Sequence, residues 1–343
     1  MNKKPAMQIF LHTGQTSGTF LEGLQTFLNK KRRKGISEYS IIHLYNSLWP
    51  LAESLGNPPL TAVTARHLKS YNDALWLKYA PGTIRPIIGD IKQFFRWAKK
   101  KKLIDRDPSK SLKKPRPRRA KDKAAPETAV SAVICHLTKK LERVVWRDLF
   151  GQLHSEAAEA WTEAETLALR DLFILVFLYE TGGRVGELTS LGTATMRRAC
   201  EAAGGVYIVT GNGKTDDRDL RFTEATAELW RVWFAVRPDG CKDFAVFSLR
   251  PTHPPAPLTS NGVSQILARR CKEAETAVFR SHALRHAKVR RARKLVGLEM
   301  ASLLIDHSSV EMTRNYAGIE DDEVSEAVKL TGIRFDLWGK TTP

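Results

Sequence analysis

Leu172-Phe173-Ile174-Leu175-Val176-Phe177-Leu178-Tyr179, followed two residues on by Gly182-Gly183-Arg184-Val185-Gly186-Glu187-Leu188, is the stretch on which the reading of the fold turns. It holds the longest apolar run of the 343-residue chain, and at 8 residues that run is too short to span a bilayer. No membrane association is expected. Extended back to Leu167, the run predicts an apolar helix that the Gly182-Gly183 pair ends. Downstream, the β-branched run Val206-Tyr207-Ile208-Val209-Thr210, the turn Gly211-Asn212-Gly213 and the return Asp219–Phe222 predict a hairpin. Helices are predicted at 223–236, 260–273, 282–295, 298–305, 309–316 and 322–330, and 127–162 reads as mostly helical.

Toward the N-terminus the pattern is all helical. Phe20, Leu21, Leu24, Phe27 and Leu28 share a face that ends at Lys30–Lys34 and Gly35. Ile41, Leu44, Leu48 and Leu51 form a second stripe. Thr64 is the expected cap of a third helix with Leu68, Tyr71 and Leu75. Thr83 is the expected cap of a fourth, with Ile84, Ile87, Ile88, Ile91, Phe95 and Ala98 on one face and Pro86 in its first turn.

Charge separates the two halves. Residues 1–120 hold 24 Lys/Arg against 7 Asp/Glu, whereas the remainder holds 31 against 30, giving a net +18. A basic third joined to a near-neutral body points to a polyanion-binding domain. Its densest part is Lys99-Lys100-Lys101-Lys102 and Lys113-Lys114-Pro115-Arg116-Pro117-Arg118-Arg119. The second of these is too charged and Pro-rich for a core and reads as an extended arm along phosphates. The four cysteines are far apart and form no CxxC pair, which fits a reducing cytoplasm and argues against a sequence-local zinc site. Gly211-Asn212-Gly213-Lys214-Thr215 imitates the end of a P-loop, but Ile208 stands where that motif needs glycine and the context is strand–turn–strand.

The C-terminal third carries a denser constellation. In His282-Ala283-Leu284-Arg285-His286, His282 and Arg285 share one face near a helix start, where exposed N–H groups favour anions. His307 and, nine residues on, Tyr316 follow. Upstream, Arg184 follows the glycine break and Glu187 lies one turn further. Together these types suit phosphodiester transesterification without a metal. Two guanidiniums pair with non-bridging oxygens, a tyrosine hydroxyl attacks, histidine moves protons and a hairpin lysine protonates the leaving oxygen. No carboxylate cluster suited to two metal ions is present in the sequence, and neither metal nor cofactor is expected.

In their order and spacing, Thr181-Gly182-Gly183-Arg184-Val185-Gly186-Glu187-Leu188, His282-x-x-Arg285-His286, His307 and Tyr316 resemble the tyrosine recombinase (phage integrase) family over nearly the whole chain. The resemblance implies a mainly α fold: a helical core-binding domain at 1–110, a basic interdomain linker at 111–120, and a mixed α+β catalytic domain with a small β-hairpin at 121–343. It implies a site-specific recombinase acting on double-stranded DNA as a homo-tetramer, with accessory DNA-bending factors as further partners. By the same resemblance Tyr316 forms a 3′-phosphotyrosyl bond, Arg184 and Arg285 hold the scissile phosphate, and His282 and His307 bond it or shuttle protons. Lys214 is then the general acid and Glu187 supports Arg184. The chain departs from the family pattern at Asp306, where glycine is usual before the second histidine, and at Asn212, which stands where the hairpin lysine is usual. Rival readings are a type IB topoisomerase-like relaxing enzyme and a catalytically silent DNA-binding regulator on the same fold. The stripe Val324, Ala327, Val328 and Leu330 is expected to dock on a neighbouring protomer.

Overall fold

The computed structural model describes residues 18–116, 124–148, 152–202, 205–211, 217–238, 243–250, 253–305 and 321–333. The chain forms two compact units, Met1–Lys121 and Asp122–Pro343. Among the described residues no helix is long and apolar enough to cross a membrane.

The first unit is helical: α1 (Phe20–Arg33), α2 (Glu38–Ser54), α3 (Ala65–Lys78) and α4 (Pro81–Lys100). Thr19 and Glu22 form a reciprocal cap that starts α1, and Thr64 with His67 does the same for α3. Phe20 and Phe27 on α1 meet Phe94 on α4 at 5.0 and 5.6 Å between ring centroids, forming an aromatic centre. Gly23 lets α1 close on Leu60, whose side chain would lie 2.5 Å from an added Cβ. The start of α4 differs from expectation. Ala80 is its cap and Pro81 its first residue, because the proline presets a helical φ and needs no N–H there. Thr83 is therefore already helical, and Pro86 lies inside the helix beyond the first turn.

The basic segment after α4 is also not a free arm as far as Arg116. Ile104 and Leu112 are buried in the first unit's core. The backbone then runs back along α4: Lys92 Nζ donates to the Lys110 carbonyl (3.3 Å) and Arg85 Nη1 to the Pro115 carbonyl (2.6 Å). Ile104 and Leu112 anchor the segment while Lys113, Lys114 and Arg116 stay exposed. Arg118 and Arg119 lie outside the described residues.

The second unit is built around α6 (Glu163–Thr181), which is buried on nearly every side. Thr162 and Glu165 cap its start, and Gly182 ends it at φ +60°, a left-handed conformation that glycine adopts without strain. Around α6 lie α5 (Glu127–Leu141), α7 (Val185–Thr189), α8 (Thr193–Cys200), α9 (Glu224–Val236), α10 (Ser260–Glu273), α11 (Ser281–Leu304) and α12 (Asp321–Leu330). Phe173 packs on Trp230 of α9, with centroids 5.5 Å apart. Among the described residues, three two-stranded antiparallel sheets accompany the helices: β1 (Val145–Arg147) with β2 (Leu153–Ser155), β3 (Val206–Gly211) with β4 (Arg218–Thr223), and β5 (Phe247–Arg250) with β6 (His253–Pro257).

Two expectations change here. The region 127–162 is only partly helical, since β1 and β2 follow α5. Buried Val145 and a cross-strand stack of Trp146 on His154 (6.0 Å, 20°) favour the pleated form. The two helices expected at 282–295 and 298–305 are present as the two parts of α11, separated by the non-helical Gly297 (φ +81°). The helix expected at 309–316 lies outside the described residues. The stripe on α12 packs within its own chain: Val324, Ala327 and Val328 are buried with Ala292, Ala301 and Leu304 of α11. Leu330 is half exposed. A short helix with three apolar residues per side gains more from a helix already tethered beside it than from a second molecule, which must also give up its free motion.

Candidate active site

The end of α6 sets the site. Leaving the helix in the left-handed region, Gly182 turns the chain so that Arg184 caps α7 and Glu187 stands three residues in. The buried Glu187 carboxylate accepts the Arg184 backbone N–H at 2.6 Å and the Arg184 guanidinium at 2.9 Å. Arg184 itself remains half exposed. Glycine at 183 and 211 is a spatial need. A Cβ on Gly183 would meet Thr181 Oγ1 at 3.0 Å, and one on Gly211 would meet Glu187 Cβ at 3.1 Å. Strand β3 therefore ends, and β4 begins, against Glu187, because Gly211 pairs with Arg218 across the strands.

Arg218 is a residue that the sequence reading missed. It is 4% exposed, lies with Nε 3.6 Å from Glu187 Oε1, and donates through Nη1 to the Ile305 carbonyl. Its signal was the alternation Arg218, Leu220, Phe222, which places all three on the inward face of β4.

Arg285 lies on the first turns of α11, 5% exposed. Its Nη1 donates to the Gly182 carbonyl at 2.7 Å and its Nη2 to the Ile305 carbonyl at 2.9 Å. One side chain thus ties the Gly182–Arg184 turn to the residue just before Asp306, and Arg218 holds the same Ile305 carbonyl. His282 is exposed on the first turn of α11, edge-on to His286 at 4.9 Å. The structure brings together Arg184, Glu187, Arg218 and Arg285; Lys214, His307 and Tyr316 lie outside the described residues, as does Asp306.

One turn after Arg285, Lys288 is 3% exposed. Its ammonium donates to the Thr331 carbonyl (2.9 Å) and Oγ1 (2.8 Å). Burial pushes its pKa down to about 8, with Glu180 opposing and Arg291 adding to the shift. A lysine so engaged is poorly placed to replace Lys214 as a proton donor.

The first unit presents a different kind of site. Lys99 and Lys100 close α4, followed by Lys101 and Lys102, all exposed. The end of α1 comes beside them. The pKa of Lys30 is lowered by desolvation and then by Lys101, Lys34, Lys100 and Lys31, so these ammonium groups crowd one place. Lys30–Lys34 therefore belong with the candidate polyanion-binding residues. Arg85, Lys92, Arg96 and Lys99 add a stripe along α4, at spacings of seven, four and three.

Comparison with known proteins agrees. The tyrosine recombinase XerC of Alcanivorax borkumensis is 24% identical over 318 residues, 92% of each chain. The fold is shared with a lambda integrase (75–356) dimer bound to a COC′ core site, at TM-score 0.59 and 16% identity over 88% of this chain and 99% of that one. A lambda integrase tetramer bound to a Holliday junction gives TM-score 0.59 and 16% identity over 85% of this chain and 78% of that one. The phage integrase family matches residues 152–323, from β2 into α12 and just over half of the length. That span includes every residue gathered around Gly182 and Ile305, and the chain belongs to the phage integrase family, the tyrosine recombinases.

Proposed function

We propose that this recombinase cleaves and rejoins duplex DNA at a specific site through a 3′-phosphotyrosyl intermediate on Tyr316. The observation that carries the reading is the double anchorage of Arg285 on the Gly182 and Ile305 carbonyls, which joins the two sequence motifs at one point beside Arg184. The Tyr316 oxygen attacks phosphorus and the P–O5′ bond breaks. Lys214 supplies the proton that the 5′-oxygen takes up, and His282 and His307 bond the phosphate or move protons. Arg184 and Arg285 carry the charge that builds on the non-bridging oxygens, where fixed donors are worth most. The phosphotyrosyl ester replaces the diester bond for bond, so a 5′-hydroxyl from another strand reverses the step without ATP or a metal.

In this reading the first unit and the basic segment to Arg119 grip the duplex, with Lys99–Lys102, Lys113, Lys114, Arg116, Arg118 and Arg119 on phosphates. The second unit performs the chemistry, and four protomers assemble on two duplexes, as in the lambda integrase tetramer bound to a Holliday junction. The test uses a nicked duplex recovered from a random pool by its binding to the protein. The wild type is expected to give a protein–DNA adduct that survives denaturation, and Tyr316→Phe to bind without one. An adduct from Tyr316→Phe overturns the assignment, and relaxation of plasmids lacking the selected site favours the topoisomerase reading.

A further inference from the structure

Lys288 and Glu180 are two buried charges that the steps above do not use, and they hold the two ends of one three-residue segment, Thr331 and Ile333. Lys288 donates to the carbonyl and hydroxyl of Thr331 at 2.9 and 2.8 Å. Glu180, 1% exposed near the end of α6, accepts the backbone N–H of Ile333 at 3.4 Å, the Thr223 hydroxyl at 2.6 Å and the Thr226 hydroxyl. Gly332 lies between them with no room for a side chain: an added Cβ would stand 2.9 Å from Thr223 Cγ2 and 3.1 Å from Glu180 Oε1. The Thr331 hydroxyl also closes α12 by donating to the Ala327 carbonyl at 2.6 Å. Lys288 in turn lies over the Gly182 turn, its Cγ 3.2 Å from where a Cβ would be.

We propose that Lys288 and Glu180 are positioning residues, a clasp of opposite charges that fixes Thr331-Gly332-Ile333 and so anchors, from its C-terminal side, the stretch 306–320 that carries His307 and Tyr316. The other side is already anchored, since Arg285 and Arg218 hold the Ile305 carbonyl. Both anchors rest on α11, with Lys288 one turn from Arg285, so the clasp references the nucleophile's segment to the helix that holds the phosphate. The inference rests on the proposed role of Tyr316. A purely structural account sees Lys288 as a costly buried charge whose replacement by an apolar side chain is neutral or favourable. A positioning account requires that the same replacement slow the chemistry, because small misplacement of a reacting group is expensive.

The experiment compares the full-length wild type with Lys288→Met, Thr331→Val and Thr331→Ser. It measures amide exchange at 331–333 without DNA, affinity for the selected nicked duplex, and the single-turnover rate of adduct formation on it. Lys288→Met is expected to speed exchange at 331–333 and to slow adduct formation by up to about 100-fold, with affinity changed less than about twofold. Thr331→Val should follow it and Thr331→Ser should stay near the wild type. If Lys288→Met fails to fold, the Thr331 pair decides alone. Wild-type cleavage rates in Lys288→Met and Thr331→Val overturn the inference. A wild type that forms no adduct defeats the proposed function and the positioning role with it, while exchange at 331–333 still reports separately on the clasp.

Discussion

The two units use positive charge in opposite ways. In the first, Lys30–Lys34, Lys99–Lys102, Lys113 and Lys114 are largely exposed, and desolvation followed by the nearby Lys101, Lys34, Lys100 and Lys31 lowers the pKa of Lys30. In the second, Arg218, Arg285 and Lys288 are 3–5% exposed, and each is fixed by named oxygens. Exposed charges act additively through released counterions and carry no geometry. Buried charges are costly to place and are worth the cost where a position must be held to a fraction of an ångström. The contrast separates gripping DNA from acting on it, and four experiments challenge that separation.

The largest effect is expected at Glu187. Glu187→Ala removes the buried carboxylate that faces Arg218 and Arg184. A loss of about 3–5 kcal/mol is expected in urea denaturation. A loss below about 1 kcal/mol would show that Arg218 does not depend on Glu187.

Arg285→Ala comes next. Adduct formation should fall by about 10²–10³-fold, the usual cost of one transition-state donor, while DNA affinity changes little. Equal losses in both measurements would place Arg285 with the exposed phosphate contacts and erase the contrast.

Lys288→Met sharpens the comparison through pH. Its folded pKa of about 8 lies below the ordinary 10.5, so burial penalises the ammonium. That penalty is full below pH 8 and fades as pH rises toward 10.5, so the wild type gains stability across this window. The stability of Lys288→Met relative to the wild type should therefore be highest near pH 7 and decline by up to about 3 kcal/mol by pH 10.5. A difference that does not vary with pH would mean that Lys288 is already neutral or freely hydrated.

The smallest effects belong to the exposed set. Lys100→Ala and Lys113→Ala should each weaken DNA binding several-fold and reduce the slope of log affinity against log salt by about 0.9. Their adduct-forming rate at saturating DNA should stay unchanged. A rate defect at saturation would move either lysine into the chemical step.

Much of this was legible in the sequence. Buried α6, the break at Gly182, the β3–β4 hairpin and the His282–Arg285 pair follow from periodicity and turn chemistry, which are local. What the sequence hid depends on long-range partners. Arg218 reads as one more basic residue until β4's inward face packs on Glu187. Lys30–Lys34 became part of the polyanion surface only when the ends of α1 and α4 met. Leu112, inside the stretch expected as a linker, anchors it to the core through burial that no local pattern shows. The β1–β2 hairpin was missed because three-residue strands are too short to show a period of two. The start of α4 was misplaced because Thr83 is a good cap by type, whereas Pro81 is a better first residue by geometry.

The central claim is that Tyr316 becomes linked to DNA. Trypsin cutting after Arg314 and Lys329 isolates Tyr316 as the only tyrosine of the peptide Asn315–Lys329. Mass spectrometry of the trapped adduct, after nuclease digestion, should find that peptide carrying a nucleotide on the tyrosine through its 3′-phosphate. A nucleotide on any other peptide, or linkage through a 5′-phosphate, would contradict the account.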